Sequence, residues 1–151
     1  MQNSEYADGH WRRLNLPHDW AIEGDFSPSN PSGASGGALP GGIGWYRKHF
    51  SLSPDEKYDR FTITFDGVYM NSTVYINGHK LGTRPYGYST FEYDLTPYIY
   101  KKGDNVIAVK VDNSDQPNSR WYSGCGIYRH VWLTKTLKKA YIPQWGQYVA
   151  T

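Results

Sequence analysis

A single cysteine, Cys125, stands among the 151 residues, so no internal disulfide can staple the fold. Long apolar runs are missing as well. No stretch approaches the ~18 residues that a membrane-crossing helix needs, and membrane insertion is not expected. The first residues, MQNSEYADGHWRR, lack the apolar segment of a secretory signal. There is little charge of either sign in excess. Sixteen basic and fourteen acidic side chains are interspersed for a net +2, which leaves no electrostatic case for a nucleic-acid partner. Aliphatic residues are scarce: Leu, Ile, Val and Phe number 8, 8, 7 and 5, just under the ~20% that warns of disorder. Disorder also needs high net charge and few aromatics. Here 6 Trp, 14 Tyr and 5 Phe supply an aromatic core instead, so the chain folds, at a length suited to one domain.

Glycine and proline are unevenly spread. The segment Pro28–Gly44, PSNPSGASGGALPGGIG, holds nine of the 25 in the chain. It reads as irregular chain laid over a surface, too long for a simple connection and therefore mobile or functional. From Trp45 the pattern changes to period 2. Phe61, Ile63 and Phe65 share one face of RFTITFD, while Thr62 and Thr64 share the other. Ile107, Val109 and Val111 alternate in NVIAVKVD. Val131 and Leu133 do so in Ile127–Lys135, and Tyr46, Phe50 and Leu52 share a face in Trp45–Leu52. These are half-buried strands. Asn77-Gly78 between STVYI and HKLG marks a tight hairpin. Helix is nearly absent, with Asp94–Tyr98 expected to form a single turn. Six to nine short strands broken by such turns predict an all-β, antiparallel sandwich.

Catalytic chemistry finds little footing. Glycoside hydrolysis takes two facing carboxyl groups, and only four Glu are present. Glu92 and Asp94, two apart on one strand face, are the best local pair, with solvated strand charges as the alternative. There is no G-x-S-x-G elbow. Cys125, between two glycines, reads as a packed thiol. The five His are scattered without metal-ligand spacing, and Asp112–Ser123 lacks the turn Gly and terminal Glu of a calcium loop, so no metal and no cofactor are expected. Gly42-Ile43-Gly44 and Gly124-Cys125-Gly126 lead into strands rather than the helix of a dinucleotide site.

Binding chemistry is better served. Sugars are held by aromatic faces together with polar groups that grip hydroxyls. Asn113, Asn118, Arg120, Trp121 and Tyr122 offer both on one inter-strand loop, and Arg84–Tyr88, RPYGY, adds a second cluster. Core packing is the alternative for Trp121 and Tyr122. A structural ion pair to Asp19 or Asp112 is the alternative for Arg120.

The segments LPHDW (Leu16–Trp20), LPGGIGWYRKHF (Leu39–Phe50), FDGV (Phe65–Val68), VYINGHKLG (Val74–Gly82) and SRWYSGCGIYRHVWL (Ser119–Leu133) follow one another in this order. Together they resemble the N-terminal sugar-binding domain of glycoside hydrolase family 2, of the β-galactosidase type, over residues 10–136. The resemblance implies a jelly-roll, galactose-binding-like β-sandwich spanning 1–136. Residues 137–151 would lead out into an immunoglobulin-like second domain, followed by a TIM barrel that carries the catalytic acids of a retaining exo-glycosidase. The chain itself would then hold no catalytic residue and be inactive alone. It would meet a terminal β-linked sugar, a galactoside by the commonest expectation, together with the parent's catalytic domain.

The resemblance also selects site residues. In well-known members an Asp occupies the place of Arg120, and an Asn side chain contributes where Gly41 stands here. The implied ligand-binding set is therefore Arg120, Trp121, Tyr122, Asn113 and Gly41, with Gly41 able to offer only backbone. β-Glucuronidase and β-mannosidase share the architecture. Two other readings compete: an autonomous carbohydrate-binding module, and a purely structural interdomain piece that could serve a homo-oligomer. For the parent, export to the periplasm or medium is expected, with the cytoplasm as the alternative.

Overall fold

The computed structural model describes residues 1–150. Seven strands form: β1 (Gly42–Ser51), β2 (Arg60–Phe65), β3 (Ser72–Ile76), β4 (His79–Arg84), β5 (Phe91–Asp94), β6 (Asp104–Asn113) and β7 (Val131–Thr136). Every pairing is antiparallel. One sheet runs β1-β6-β3-β4 and the other β5-β2-β7. Two short 3-10 turns, Ala21–Glu23 and Ala34–Gly36, are the only helical pieces among the described residues. The sandwich expected from the alternation is therefore present.

Phe61, Phe65, Val74, Ile76, Leu95 and Val111 are fully buried between the sheets. Burying side chains of this size contributes about 1.5–3 kcal/mol each. Phe65 stacks on Phe91 across the β2–β5 pair, with ring centroids 5.1 Å apart.

β2 departs from the half-buried expectation, because Thr62 and Thr64 on its outer face are buried too. As the middle strand it is flanked on that face by Glu92 and Trp132, which stand opposite Thr64. The Thr64 hydroxyl donates to Glu92 (3.1 Å), and Asp94 accepts the Thr96 N–H (2.9 Å). Both carboxylates of the Glu92–Asp94 pair are thus engaged in holding strand and turn. The single turn expected here follows directly on β5, over Leu95–Tyr98, closed by Tyr98 N–H to the Leu95 carbonyl.

The hairpin is as expected. Asn77 and Gly78 have φ of 48° and 83°, the two left-handed positions that a two-residue connection from Ile76 to His79 needs. Asn77 does more than turn. Its Oδ1 accepts the Val106 N–H (2.8 Å), and its Nδ2 donates to Asn105 Oδ1 (2.9 Å) and the Tyr98 carbonyl (2.9 Å).

The N-terminal arm is tied to β1 through Arg47, whose side chain is 1% exposed. The guanidinium donates to Asp8 (2.6 Å) and to the carbonyls of Met1, Asn3, Ser4 and Tyr6. His49 lies between Asp104 (2.5 Å) and Asp8 (2.9 Å). Hydrogen bonds to these two carboxylates raise the His49 pKa above its usual 6.5. The hydrogen bonds from Arg47 and then His49 lower Asp8 from 3.8 to about 2.

The signs set a pH window. The contribution of His49 is complete below 6.5 and is lost as pH rises through its higher folded value. The contribution of Asp8 is complete above 3.8 and is lost as pH falls toward 2. The thermal midpoint of the wild type is therefore expected to exceed that of His49→Gln in mildly acid buffer, and the gap to close as the solution turns alkaline. Circular dichroism melts across pH would show this, and a gap indifferent to pH would refute it.

Candidate functional site

Between β6 and β7 the chain makes a long loop that carries Arg120, Trp121 and Tyr122. Its root is Asn113, the last residue of β6, which is 2% exposed. Asn113 Nδ2 donates to the Gly124 carbonyl (3.0 Å) and faces Cys125 Sγ (2.9 Å), while its Oδ1 accepts from Asn118 Nδ2 (2.6 Å). One buried amide therefore ties the two ends of the loop together. Asn118 in turn accepts from the Tyr69 hydroxyl (3.2 Å). Ser119 Oγ donates to the Trp121 carbonyl (2.6 Å) and pairs with Ser123 Oγ (2.7 Å).

The return limb packs on the LPHDW segment. His18 N–H donates to the Ile127 carbonyl (2.8 Å) and Trp20 N–H to the Cys125 carbonyl (3.0 Å). This pairing accounts for a difference from the sequence reading. The strand expected from Ile127 begins only at Val131, because the backbone ahead of it serves the arm instead of β2.

Asp19 stands at the junction. Its Oδ1 accepts N–H groups from Ala21 (2.9 Å) and Cys125 (2.8 Å), and its Oδ2 accepts the Tyr122 hydroxyl. Burial, then the hydrogen bond and charge of Asp19, push the Tyr122 pKa well above its usual 10, so the phenol remains a donor. Burial pushes the Cys125 thiol up to about 11, which suits a packed side chain and not a nucleophile. Cys125 joins Ala21 and Leu39 in a small satellite core.

The Gly/Pro segment, read as mobile or functional, is folded here. Ser27 N–H bonds to the Ala38 carbonyl (2.9 Å), Ala38 N–H to that of Gly33 (2.8 Å), and Ser32 Oγ to that of Leu39 (2.6 Å). Gly37 lies under the ring of Tyr122. Gly41 accepts from Trp20 Nε1 (3.1 Å), and a Cβ there would press on the Asn113 carbonyl at 2.6 Å. Gly41 thus lets the segment reach the loop root. Asn113 and Gly41 both sit beneath the loop and support it.

Above the loop the picture reverses. Trp121 is 60% exposed, and Arg120 and Tyr122 are exposed. Arg120 has no acidic partner among the described residues: Asp19 holds Tyr122, and Asp112 holds Lys110 and Ser114. Trp121 Nε1 donates to the Tyr88 hydroxyl (3.1 Å). Tyr88 packs edge-on against Tyr86 (5.6 Å) and Tyr69 (5.3 Å). The two clusters read separately in the sequence, around Trp121 and in RPYGY, are thereby one aromatic surface, with the exposed Arg120 next to Trp121 in the chain. Sequence reasoning missed Asp19 in this role, although the coexistence of LPHDW and GCGIYR was its signal.

Among the described residues, the space directly beneath this surface is small. The niche beneath the loop, bounded by Leu39, Asn113, Ser119 and Cys125, measures about 20 Å³, room for about one water. No three His, Cys, Asp or Glu side chains converge as a metal site among the described residues. The site can therefore offer stacking faces and hydrogen-bond donors, but it can neither surround a sugar ring nor supply facing carboxyl groups.

The family model described as the sugar-binding domain of glycosyl hydrolases family 2 matches residues 37–137. The chain belongs to this family. The sugar-binding domain is 64% identical over 146 residues to the β-galactosidase BoGH2A of Bacteroides ovatus, which covers 97% of this chain but 17% of the relative. It is 52% identical over 128 residues to a putative β-glucuronidase of Formosa agariphila, covering 85% of this chain and 12% of the relative. Among solved structures it superposes on a β-glycosidase from Bacteroides vulgatus with a TM-score of 0.85 at 52% identity, over 89% of this chain and 17% of that one. The domain thus spans about a sixth or less of the length of these relatives.

Proposed function

We propose that this domain is the non-catalytic N-terminal module of a retaining exo-glycosidase, acting on terminal β-galactosides. Its Arg120–Trp121–Tyr122 loop lends one wall to a substrate pocket. The catalytic acids lie in a TIM barrel outside residues 1–151. The observation that carries this reading is an exposed aromatic and cationic surface, held rigidly from below, with no cavity of its own that could enclose a sugar. The boundary falls near residue 136. Beyond it Leu137, Ile142, Trp145 and Tyr148 are exposed, as suits a lead-out that an immunoglobulin-like neighbour would cover.

A β-glucuronidase is the second reading, favoured by the unpaired Arg120, which would suit a uronate carboxylate. Arg120→Ala in the full-length enzyme is expected to lower kcat/KM on an aryl β-galactoside about 30-fold, equivalent to ~2 kcal/mol. A loss confined to the glucuronide would transfer the assignment to that reading, and unchanged kinetics on both would end it. Titration of the isolated domain with galactose should give no saturable heat, since one wall alone does not hold a ring. Millimolar or tighter binding would mark an autonomous module instead.

A further inference from the structure

The aromatic surface above the loop does not end at Trp121. It continues onto the connection between β4 and β5, residues 85–90, where Tyr86 is 64% exposed and Tyr88 46%. Contiguous exposed rings, as against single ones, mark a contact site. This connection is also unable to fold its rings inward. The Pro85 carbonyl accepts the Asn71 N–H (3.1 Å), the Gly87 carbonyl accepts the Tyr128 hydroxyl (2.8 Å), and Thr90 Oγ1 donates to the Asp66 carbonyl (3.2 Å). Gly87 is buried against the Tyr69 ring, which leaves no room for a Cβ. The two tyrosines are therefore held outward by the backbone that carries them. Trp121, Tyr88 and Tyr86 follow one another as a strip, joined by the Trp121–Tyr88 hydrogen bond and the 5.6 Å contact between the two tyrosines.

We propose that Tyr88 and Tyr86 bind the aglycone, and that they make the full-length protein prefer a terminal sugar carried on a soluble oligosaccharide to the same sugar on a small alcohol. The proposal rests on the reading of Arg120, Trp121 and Tyr122 as the wall that meets the terminal sugar. Each exposed ring offers a stacking face. A terminal sugar at Trp121 leaves those of Tyr88 and Tyr86 to the sugars that follow it. The angle between the rings narrows the ligand. The planes of Tyr86 and Tyr88 differ by 67°, so the two cannot both lie flat on one plane. A flat array of packed chains does not fit them, whereas a single hydrated chain that turns between successive sugars does. The rim suits the same ligand, because tyrosine hydroxyls both donate to and accept from sugar hydroxyls. A neighbouring protein domain is the other candidate occupant. Sugar is favoured because the strip is continuous with the loop assigned to sugar contact.

The test uses two substrates with one terminal sugar: methyl β-galactoside, and a soluble oligosaccharide that ends in the same β-galactose and continues for several sugars. If the second reading of the function holds, the pair is made with β-glucuronic acid instead. The readout is the ratio of kcat/KM on the oligosaccharide to that on the methyl glycoside. Wild-type full-length protein should favour the oligosaccharide. Tyr86→Ala should lower the ratio about 10-fold, equivalent to ~1.4 kcal/mol. The loss should fall on KM for the oligosaccharide, since contacts remote from the broken bond hold ground state and transition state alike. Tyr86→Phe keeps the ring and should recover most of the ratio. Arg120→Ala should lower both values and leave the ratio near that of wild type, so the wall and the strip fail separately. A wild type with no preference would overturn the proposal. So would a ratio unchanged in Tyr86→Ala: both values lowered equally would assign the rings to a neighbouring domain, and neither lowered would leave them without a ligand.

Discussion

Gly126→Ala is expected to destabilise the domain by about 3 kcal/mol or more, a large share of the ~5–15 kcal/mol that holds a domain of this size together. Two costs add. Gly126 has φ of 128°, a conformation that side chains other than hydrogen adopt only under ~1–3 kcal/mol of strain. A Cβ there would also overlap the Tyr46 hydroxyl and approach the His18 carbonyl at 2.8 Å, and overpacking of this kind costs a further ~1–3 kcal/mol. Relief by backbone movement is blocked. Gly126 exchanges two 2.9 Å hydrogen bonds with Tyr69, and its neighbours Cys125 and Ile127 are bonded to Trp20 and His18. Tyr46 is held as well, since His18 Nδ1 lies 2.7 Å from its hydroxyl and its ring packs against His18 and Trp20. Urea unfolding should show the loss as a lowered midpoint with unchanged slope. Gly9→Ala, at a position with open space around it, should stay within ~0.5 kcal/mol of wild type. Equal midpoints for both variants would mean that the junction is softer than its geometry.

The glycine shows what a sequence reveals and what it withholds. Strand alternation was legible because period 2 is local: Phe61, Ile63 and Phe65 point inward whatever pairs with them. The Asn77-Gly78 turn was legible for the same reason, since its φ values belong to the two residues themselves. The second face of β2 was not. Thr62 and Thr64 are polar and small, and only the neighbours across the sheet, Glu92 and Trp132 beside Thr64, bury them. The late start of β7 was hidden likewise, because the carbonyls of Cys125 and Ile127 pair with a segment more than 100 residues earlier in the chain.

The site divided along the same line. Arg120, Trp121 and Tyr122 stood out as a mixture of residue types suited to sugars, and the fold displays all three. Asn113 and Gly41 were grouped with them, yet burial and contacts give both a supporting position under the loop. Exposure depends on tertiary packing, so residue type could nominate an Asn but not say which way its amide would be spent. Pro28–Gly44 looked free because its composition is loop-like. Its order comes from bonds between its own backbone groups and from packing under Tyr122, neither of which composition records.

Asp19→Ala is expected to cost about 3 kcal/mol and to release the loop that the proposed sugar contact depends on. The carboxylate accepts three hydrogen bonds from three parts of the chain: the Ala21 N–H, the Cys125 N–H and the Tyr122 hydroxyl. Hydrogen bonds to a charged group contribute ~1.5–3 kcal/mol each, and donors left unpaired within packed backbone lose the compensation of water. Asp19→Asn retains one acceptor oxygen for the two N–H groups and should recover most of the stability. Tyr122→Phe removes only the third bond and should cost about 1 kcal/mol.

The three variants together separate fold from function. If Asp19 acts by fixing the loop, hydrogen exchange at Ser119–Gly124 should quicken strongly in Asp19→Ala, modestly in Tyr122→Phe, and little elsewhere in the sandwich. On the proposed function, kcat/KM of the full-length protein should fall in the same order, because a displaced platform loses orientation even while every side chain proposed to meet sugar is retained. Asp19→Ala with wild-type exchange in that loop would show that Asn113 alone holds it, and the carboxylate would then be a folding element of the arm with no part in presenting Trp121.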